Sequence, residues 1–252
     1  MFKLLAQEYV NQYSFLNLFN FITFRVGASI LTSLFFSLVF GQLIINKLSA
    51  IQPNGQPIRD DGPENHIIQK VGTPTMGGVL IILSIIISSI LWSDLQNNFV
   101  WTGLLTLITF GFIGILDDYK KIKSNSSNGL KAFTRIIMQI ILALIISLII
   151  ISILDNKVDT TISFPFFKNL IINFGYFYII ISLFILVGSA NAVNLTDGLD
   201  GLAIVPVMIV AMTFAFIAYV SGNIVFSDYL LISYIPGSGE LSVLCGALIG
   251  SA

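Results

Sequence analysis

Four aspartates stand in two short stretches of an otherwise apolar chain. GILDDYKK carries Asp117 and Asp118, and NAVNLTDGLDGLA carries Asp197 and Asp200 just after Asn191 and Asn194. Carboxylate oxygens are hard ligands that hold Mg2+ together with phosphate oxygens. Lysines lie close in sequence: Lys120 and Lys121 follow the aspartate pair, and Lys70 opens a third stretch, KVGTPTMGG. Phosphoryl transfer is mostly positioning and charge neutralisation, which such a set supplies. The sequence has no Walker A motif, no GxGxxG and no serine-histidine arrangement.

Each stretch has its own local logic. Asp117 and Asp118 follow directly on an apolar run, so they fall where hydrocarbon gives way to headgroups. A carboxylate there opposes the dipole of a helix C-terminus and is costly to desolvate. A divalent cation or the adjacent lysines must compensate. Neighbouring residues point about 100° apart on a helix, so the pair serves one metal only if the helix frays there. In NAVNLTDGLDGLA a continued helix would align Asn191, Asn194 and Asp197 as a polar ridge. The repeated Asp-Gly instead predicts a break over 196–201, with Asp197 or Asp200 free to cap the helix that follows. The two asparagines need partners for their amides.

Residues 56–78, QPIRDDGPENHIIQKVGTPTMGG, are dense in proline and glycine. Thr73 is the expected N-cap of the next helix, with Pro74 at its first position. Gly77 and Gly78 would bare the backbone of the first turn, where a helix N-terminus favours an anion, and Lys70 could reach a phosphate there. His66, the sole histidine, reads as a solvated loop residue.

The elements that carry these stretches are membrane helices. The chain is 56% hydrophobic and 10% charged, with mean hydropathy +0.92, against roughly one-quarter charged in soluble domains. Apolar runs at 22–46, 75–92, 99–116, 133–153, 174–193 and 201–220 approach the ~20 residues that cross a bilayer, and a seventh starts at 240 and runs to 252. An all-α polytopic membrane protein with six complete spans and part of a seventh is expected, in one transmembrane domain. Because a hydrophobic helix rarely stops midway, the sequence reads as part of a longer protein. The connections 47–74 and 117–135 hold eight of the twelve basic residues, which puts them in the cytoplasm and the N-terminus outside. The outer segment KVDTTISFPFF suggests a short hairpin strand. The single cysteine, Cys245, excludes an intrachain disulfide and reads as a small buried residue. No cleaved signal peptide is expected.

A transporter is the reading from another class, since it also places rare polar residues among membrane helices. Transport sites sit near the midplane on broken helices, whereas these carboxylates fall at helix ends on one face. A purely structural subunit would need no such cluster.

The runs RDDGPENHIIQKVGTPTMGG, GILDDYKK and NAVNLTDGLDGLA together resemble the phospho-N-acetylmuramoyl-pentapeptide transferases. These belong to the polyprenyl-phosphate N-acetylhexosamine-1-phosphate transferases, and the KxGTPTMGG form points to the muramoyl-pentapeptide branch. The resemblance runs from about residue 20 to the end. It implies ten transmembrane helices, a homodimer in the bacterial inner membrane, and an Mg2+-dependent site open to the cytoplasm. UDP-N-acetylmuramoyl-pentapeptide would pass its phospho-sugar to undecaprenyl phosphate, releasing UMP, and no nucleic acid is a partner. By the same resemblance Asp117 is the base or nucleophile, Asp118 its acidic neighbour near the metal, and Asp197 a third catalytic carboxylate. Lys70, Gly198, Leu199 and Asp200 match the uridine pocket. Asn194 and Asp197 match the polar wall by the diphosphate, with Lys121 a basic residue of the second loop and Thr75 and Asn191 further substrate contacts. Asn128 departs from the lysine that many members carry before the Gly-Leu of that loop. A further acidic metal ligand and a histidine-rich motif are expected beyond residue 252, so the 252 residues by themselves are expected to be inactive.

Overall fold

The computed structural model describes residues 1–53, 55, 72–124, 126, 129–154, 160–163, 171–196 and 202–252. Its helices are α1 (Phe2–Tyr9), α2 (Ile22–Ile51), α3 (Gly78–Trp92), α4 (Asn98–Ser124), α5 (Ala132–Ile153), α6 (Phe177–Thr196), α7 (Ile204–Ser221), α8 (Ile224–Leu230) and α9 (Leu241–Ser251), with 3-10 turns at Ser14–Asn20 and Ser238–Glu240. Five of them, α2, α4, α5, α6 and α7, are long and apolar enough to cross a membrane. Helices α3 and α9 are shorter apolar elements. The chain is a multi-pass, mostly helical membrane protein. Two short strands, β1 (Thr161–Ser163) and β2 (Ile171–Asn173), pair antiparallel with Thr161 opposite Asn173; β1 lies in the outer segment KVDTTISFPFF where a hairpin strand was expected, and β2 follows that segment.

The central packing unit is α2, α3 and α9, with α7 against α9. Helices have no hydrophobic drive to associate in lipid, so close approach depends on small residues and shared hydroxyls. Gly246 and Gly250 lie against α2: a Cβ at Gly246 would sit 3.1 Å from the Val26 carbonyl oxygen, and one at Gly250 would overlap the Ile30 carbonyl. Ser29 donates to the Val243 carbonyl at 2.9 Å, and Ser88 donates to the Ser29 carbonyl at 2.8 Å. The remaining helices follow in series, α4 on α3, α5 on α4 and α6 on α5.

Charge closes the end of this unit opposite Asp117 and Asp118. Arg25, fully buried, forks onto Glu240 with both Nη atoms 2.6 Å from its carboxylate oxygens, and also donates to the Trp92 carbonyl. Lys3 reaches Asp94 and Glu240, and the Met1 ammonium donates to the Ile90 carbonyl at 2.8 Å. Phe2, Phe19 and Phe24 gather on Trp92. These contacts anchor α1, an element the span count did not include. Burial pushes the Asp94 carboxyl up, but the Lys3 ammonium and the Gln96 amide outweigh it and hold the group below the ordinary carboxylate value.

Three boundaries differ from expectation; one is α7, which starts at Ile204 with Ala203 as its N-cap, so neither Asp197 nor Asp200 holds the capping position. Helix α3 starts at Gly78, with Gly77 as its N-cap, so neither Thr73 nor Pro74 lies in it. The cause is that Met76 takes a left-handed φ of 72°, and the Thr75 amide is committed to the Gln52 side chain, 23 residues earlier in the chain. Helix α4 runs two turns past the apolar limit at Leu116, so Asp117 and Asp118 sit inside a helix that does not fray.

Candidate functional site

The site is built on that overhang of α4. Asp117 and Asp118 point different ways from the helix, yet both meet Lys121, one turn further on. Its Nζ lies 2.7 Å from Asp117 Oδ2 and 3.2 Å from Asp118 Oδ1. Of the two compensations the sequence allowed, the structure contains the lysine. The pairs are partly exposed, so they fix geometry more than they stabilise the fold.

Each aspartate also holds a neighbouring loop. The Leu130 amide donates to Asp117 Oδ1 at 2.7 Å, which favours the ionised carboxylate. The backbone at Gly129 runs so close that a Cβ there would overlap the Asp117 carboxyl group. The Gly129-Leu130 step therefore cradles Asp117, a role that the Gly-Leu pattern flagged only as a place in a motif. Gly129→Ala is expected to displace the Asp117 side chain and cut turnover of the full-length protein by about tenfold or more, with little loss of thermal stability, since Gly129 is only half-buried. Steady-state kinetics beside a melting curve checks this.

Asp118 holds the first loop, its Oδ2 accepting from the Thr75 hydroxyl at 2.8 Å. Thr75 is in turn gripped by Gln52, which directly follows α2: Oε1 accepts from the Thr75 amide at 2.9 Å and Nε2 donates to its carbonyl at 3.3 Å. Gln52 is 4% exposed. Sequence reading passed over it; the available signal was an amide residue ending a long apolar helix.

On the far side, Arg135 stands in the first turn of α5. Its charge acts on Asp117, and its Nε is buried without a hydrogen-bond partner among the described residues. One turn deeper, the buried Gln139 accepts from Asn191 Nδ2 at 2.7 Å, and that amide also donates to the Val187 carbonyl. Asn191 thus ties α6 to α5, its amide satisfied as its depth demands. Asn194, one turn nearer the end of α6, is exposed. Arg135 and Gln139, at i and i+4 in an apolar run, were the signal for this polar strip.

Among the predicted residues, then, Thr75, Asp117, Asp118 and Lys121 are brought together. Asn191 belongs to the adjoining α5–α6 seam. Lys70, Asp197, Gly198, Leu199 and Asp200 lie outside the described residues. Glycines 77 and 78 face open space, so nothing in the described chain covers the start of α3.

For a divalent cation, the described residues supply two carboxylates and no group of three acidic, histidine or cysteine ligands. The pair fits Mg2+, which takes one or two carboxylates and fills its shell with water and phosphate, and it does so without the fraying expected from the sequence, since both carboxylates reach one ammonium from an unbroken helix. The place where the two carboxylates converge already attracts a cation, the Lys121 ammonium.

Comparison with known proteins identifies the family. Residues 100–251 match the family model described as glycosyl transferase family 4, and residues 70–82 match phospho-N-acetylmuramoyl-pentapeptide-transferase signature 1. The chain is 52% identical over 247 residues to a phospho-N-acetylmuramoyl-pentapeptide-transferase of Pelagibacter ubique (strain HTCC1062), covering 98% of this chain and 68% of the relative. It is 48% identical over 235 residues to the protein of that name from Rickettsia montanensis, covering 93% and 64%. The chain therefore spans about two thirds of the length of these curated relatives. With the signature on the segment that carries Thr75 and the family model over both aspartates, the chain belongs to the phospho-N-acetylmuramoyl-pentapeptide transferases of glycosyl transferase family 4.

Proposed function

We propose that the full-length protein transfers phospho-N-acetylmuramoyl-pentapeptide from its UDP-linked form to undecaprenyl phosphate. The products are UMP and the lipid-linked sugar that begins the membrane stage of peptidoglycan synthesis. The observation that supports this most is the joining of Thr75, Asp118, Lys121 and Asp117 by hydrogen bonds and ion pairs where α4 leaves its apolar span. A headgroup phosphate and a soluble nucleotide can meet at that level, whereas a transport path would need its polar groups at mid-membrane.

The chemistry follows from charge. An incoming diphosphate competes for the Lys121 ammonium. As Lys121 turns to phosphate oxygens, Asp117 Oδ2 is left free to take the acceptor's proton or to attack phosphorus itself. The Leu130 amide keeps Asp117 aimed throughout. Arg135 supplies fixed positive charge on the membrane side, suited to phosphate oxygens. Mg2+, held by Asp117 and Asp118, would neutralise charge on the transferring phosphate. On the strength of the family resemblance, Lys70, Gly198, Leu199 and Asp200 bind the uridine. Asn194 and Asp197 face the diphosphate, and the protein is a homodimer of the bacterial inner membrane with its N-terminus periplasmic and the site cytoplasmic.

The test is UMP release by the purified full-length protein given both substrates and Mg2+, with UDP-N-acetylglucosamine as the competing donor. Preference for that donor would move the protein to another branch of the superfamily, and substrate flux into vesicles without UMP release would make it a transporter. Asp200→Ala is expected to abolish turnover, chiefly by weakening uridine-nucleotide binding. Unchanged nucleotide affinity, read by calorimetry, would remove Asp200 from the pocket.

A further inference from the structure

Gln52 lies outside both stretches matched by the family models, 70–82 and 100–251, yet it is the most buried polar group at the site end of α2. Its side-chain amide pairs with the Thr75 main chain as a neighbouring strand would, accepting from N–H and donating to C=O. Its own carbonyl accepts from the Gly55 amide at 2.9 Å. Gly55 and Gly72, both with positive φ, approach so closely that a Cβ on Gly55 would sit 2.7 Å from Gly72 Cα. Two contacts, Gln52 with Thr75 and Gly55 with Gly72, thus join the two ends of the first loop.

We infer that Gln52 is a positioning residue for the transfer reaction: by fixing the Thr75 main chain it aims the Thr75 hydroxyl at Asp118 and so sets the Asp118 carboxylate toward Lys121. The inference rests on the proposed activity for its kinetic consequence but not for its geometry. Met76 makes the clamp necessary. A left-handed φ at a non-glycine residue is held only where the surroundings over-determine it, and the Gln52 amide fixes the residue just before it. Without the clamp, the Thr75 N–H and C=O lose their partners and the segment is free to relax. Asp118 then loses its only hydroxyl donor among the described residues.

The experiment uses the full-length protein and three variants, Gln52→Leu, Gln52→Glu and Thr75→Val, with the Gln52→Leu/Thr75→Val pair. Gln52→Leu is expected to lower kcat about tenfold or more with the KM for the UDP donor changed far less. Gln52→Glu, which keeps an acceptor for the Thr75 amide, should fall between wild type and Leu. Because both residues act through Asp118, the double variant should be no slower than the slower single one. Hydrogen exchange over 72–78 should quicken in Gln52→Leu and less in Gln52→Glu. Wild-type kcat in folded Gln52→Leu, or losses that multiply in the double variant, would overturn the inference by making Gln52 a packing residue only. Wild-type protein without UMP release would refute the proposed activity instead, and unchanged exchange over 72–78 would then still refute the clamp.

Discussion

Asp117→Asn in the full-length protein is expected to reduce turnover by roughly 10²–10⁴-fold, the range spanned by losing a positioned proton-transfer group. The substitution is close to isosteric. Asparagine Oδ1 can still accept from the Leu130 amide, so the cradle at Gly129 and Leu130 stays formed. What disappears is the charge that faces Lys121 and the basic oxygen that Lys121 uncovers. Donor binding should change little, because the residues proposed for the uridine, Lys70 and Gly198 to Asp200, belong to other stretches of the sequence. A variant that keeps about a tenth of wild-type turnover or more would place the reaction's base or nucleophile elsewhere.

The largest expected effect on stability lies at the other end of the bundle. Glu240→Ala strands the Arg25 guanidinium, fully buried and otherwise left with the Trp92 carbonyl. Breaking a buried pair from one side costs about 3–5 kcal/mol. Thermal unfolding should drop on the order of 10 °C. Arg25→Met combined with Glu240→Leu removes both charges and should recover most of that loss, since apolar side chains of similar volume replace a buried pair at little cost. A double variant as unstable as Glu240→Ala would mean that the ion pair matters through something other than its stranded charge. Activity per folded molecule should change little in either, the cluster being remote from Asp117.

The spans were legible because apolar length alone marks a membrane helix, and each run gave a helix that starts within three residues of it, although the helix from Asn98 runs eight residues past the end of its run. Ends were less legible where a side chain from elsewhere in sequence decides. Nothing local announces that the Thr75 amide belongs to Gln52, so Thr73 and Pro74 read as a helix start. Asp117 and Asp118 were found because charge beside hydrocarbon demands a reason, but their joint use of Lys121 depends on α4 continuing past Leu116. Position i+4 on an uninterrupted helix was the missing premise. Arg135 and Gln139 were hidden by being single polar residues in a strongly apolar run, and α1 by being too short to span.

The Arg25–Glu240 pair also sets a timetable for synthesis. Its partners are 215 residues apart, so at about 5–20 residues per second an arginine already in the membrane waits roughly 10–40 s for its counter-ion to be made. During that interval its long side chain can stay hydrated by reaching for the bilayer surface. The face of α2 that later receives Gly246 and Gly250 is meanwhile open to lipid. Closure of the bundle is thus a late event of biogenesis, and α2 spends its first seconds as an unfinished half of an interface.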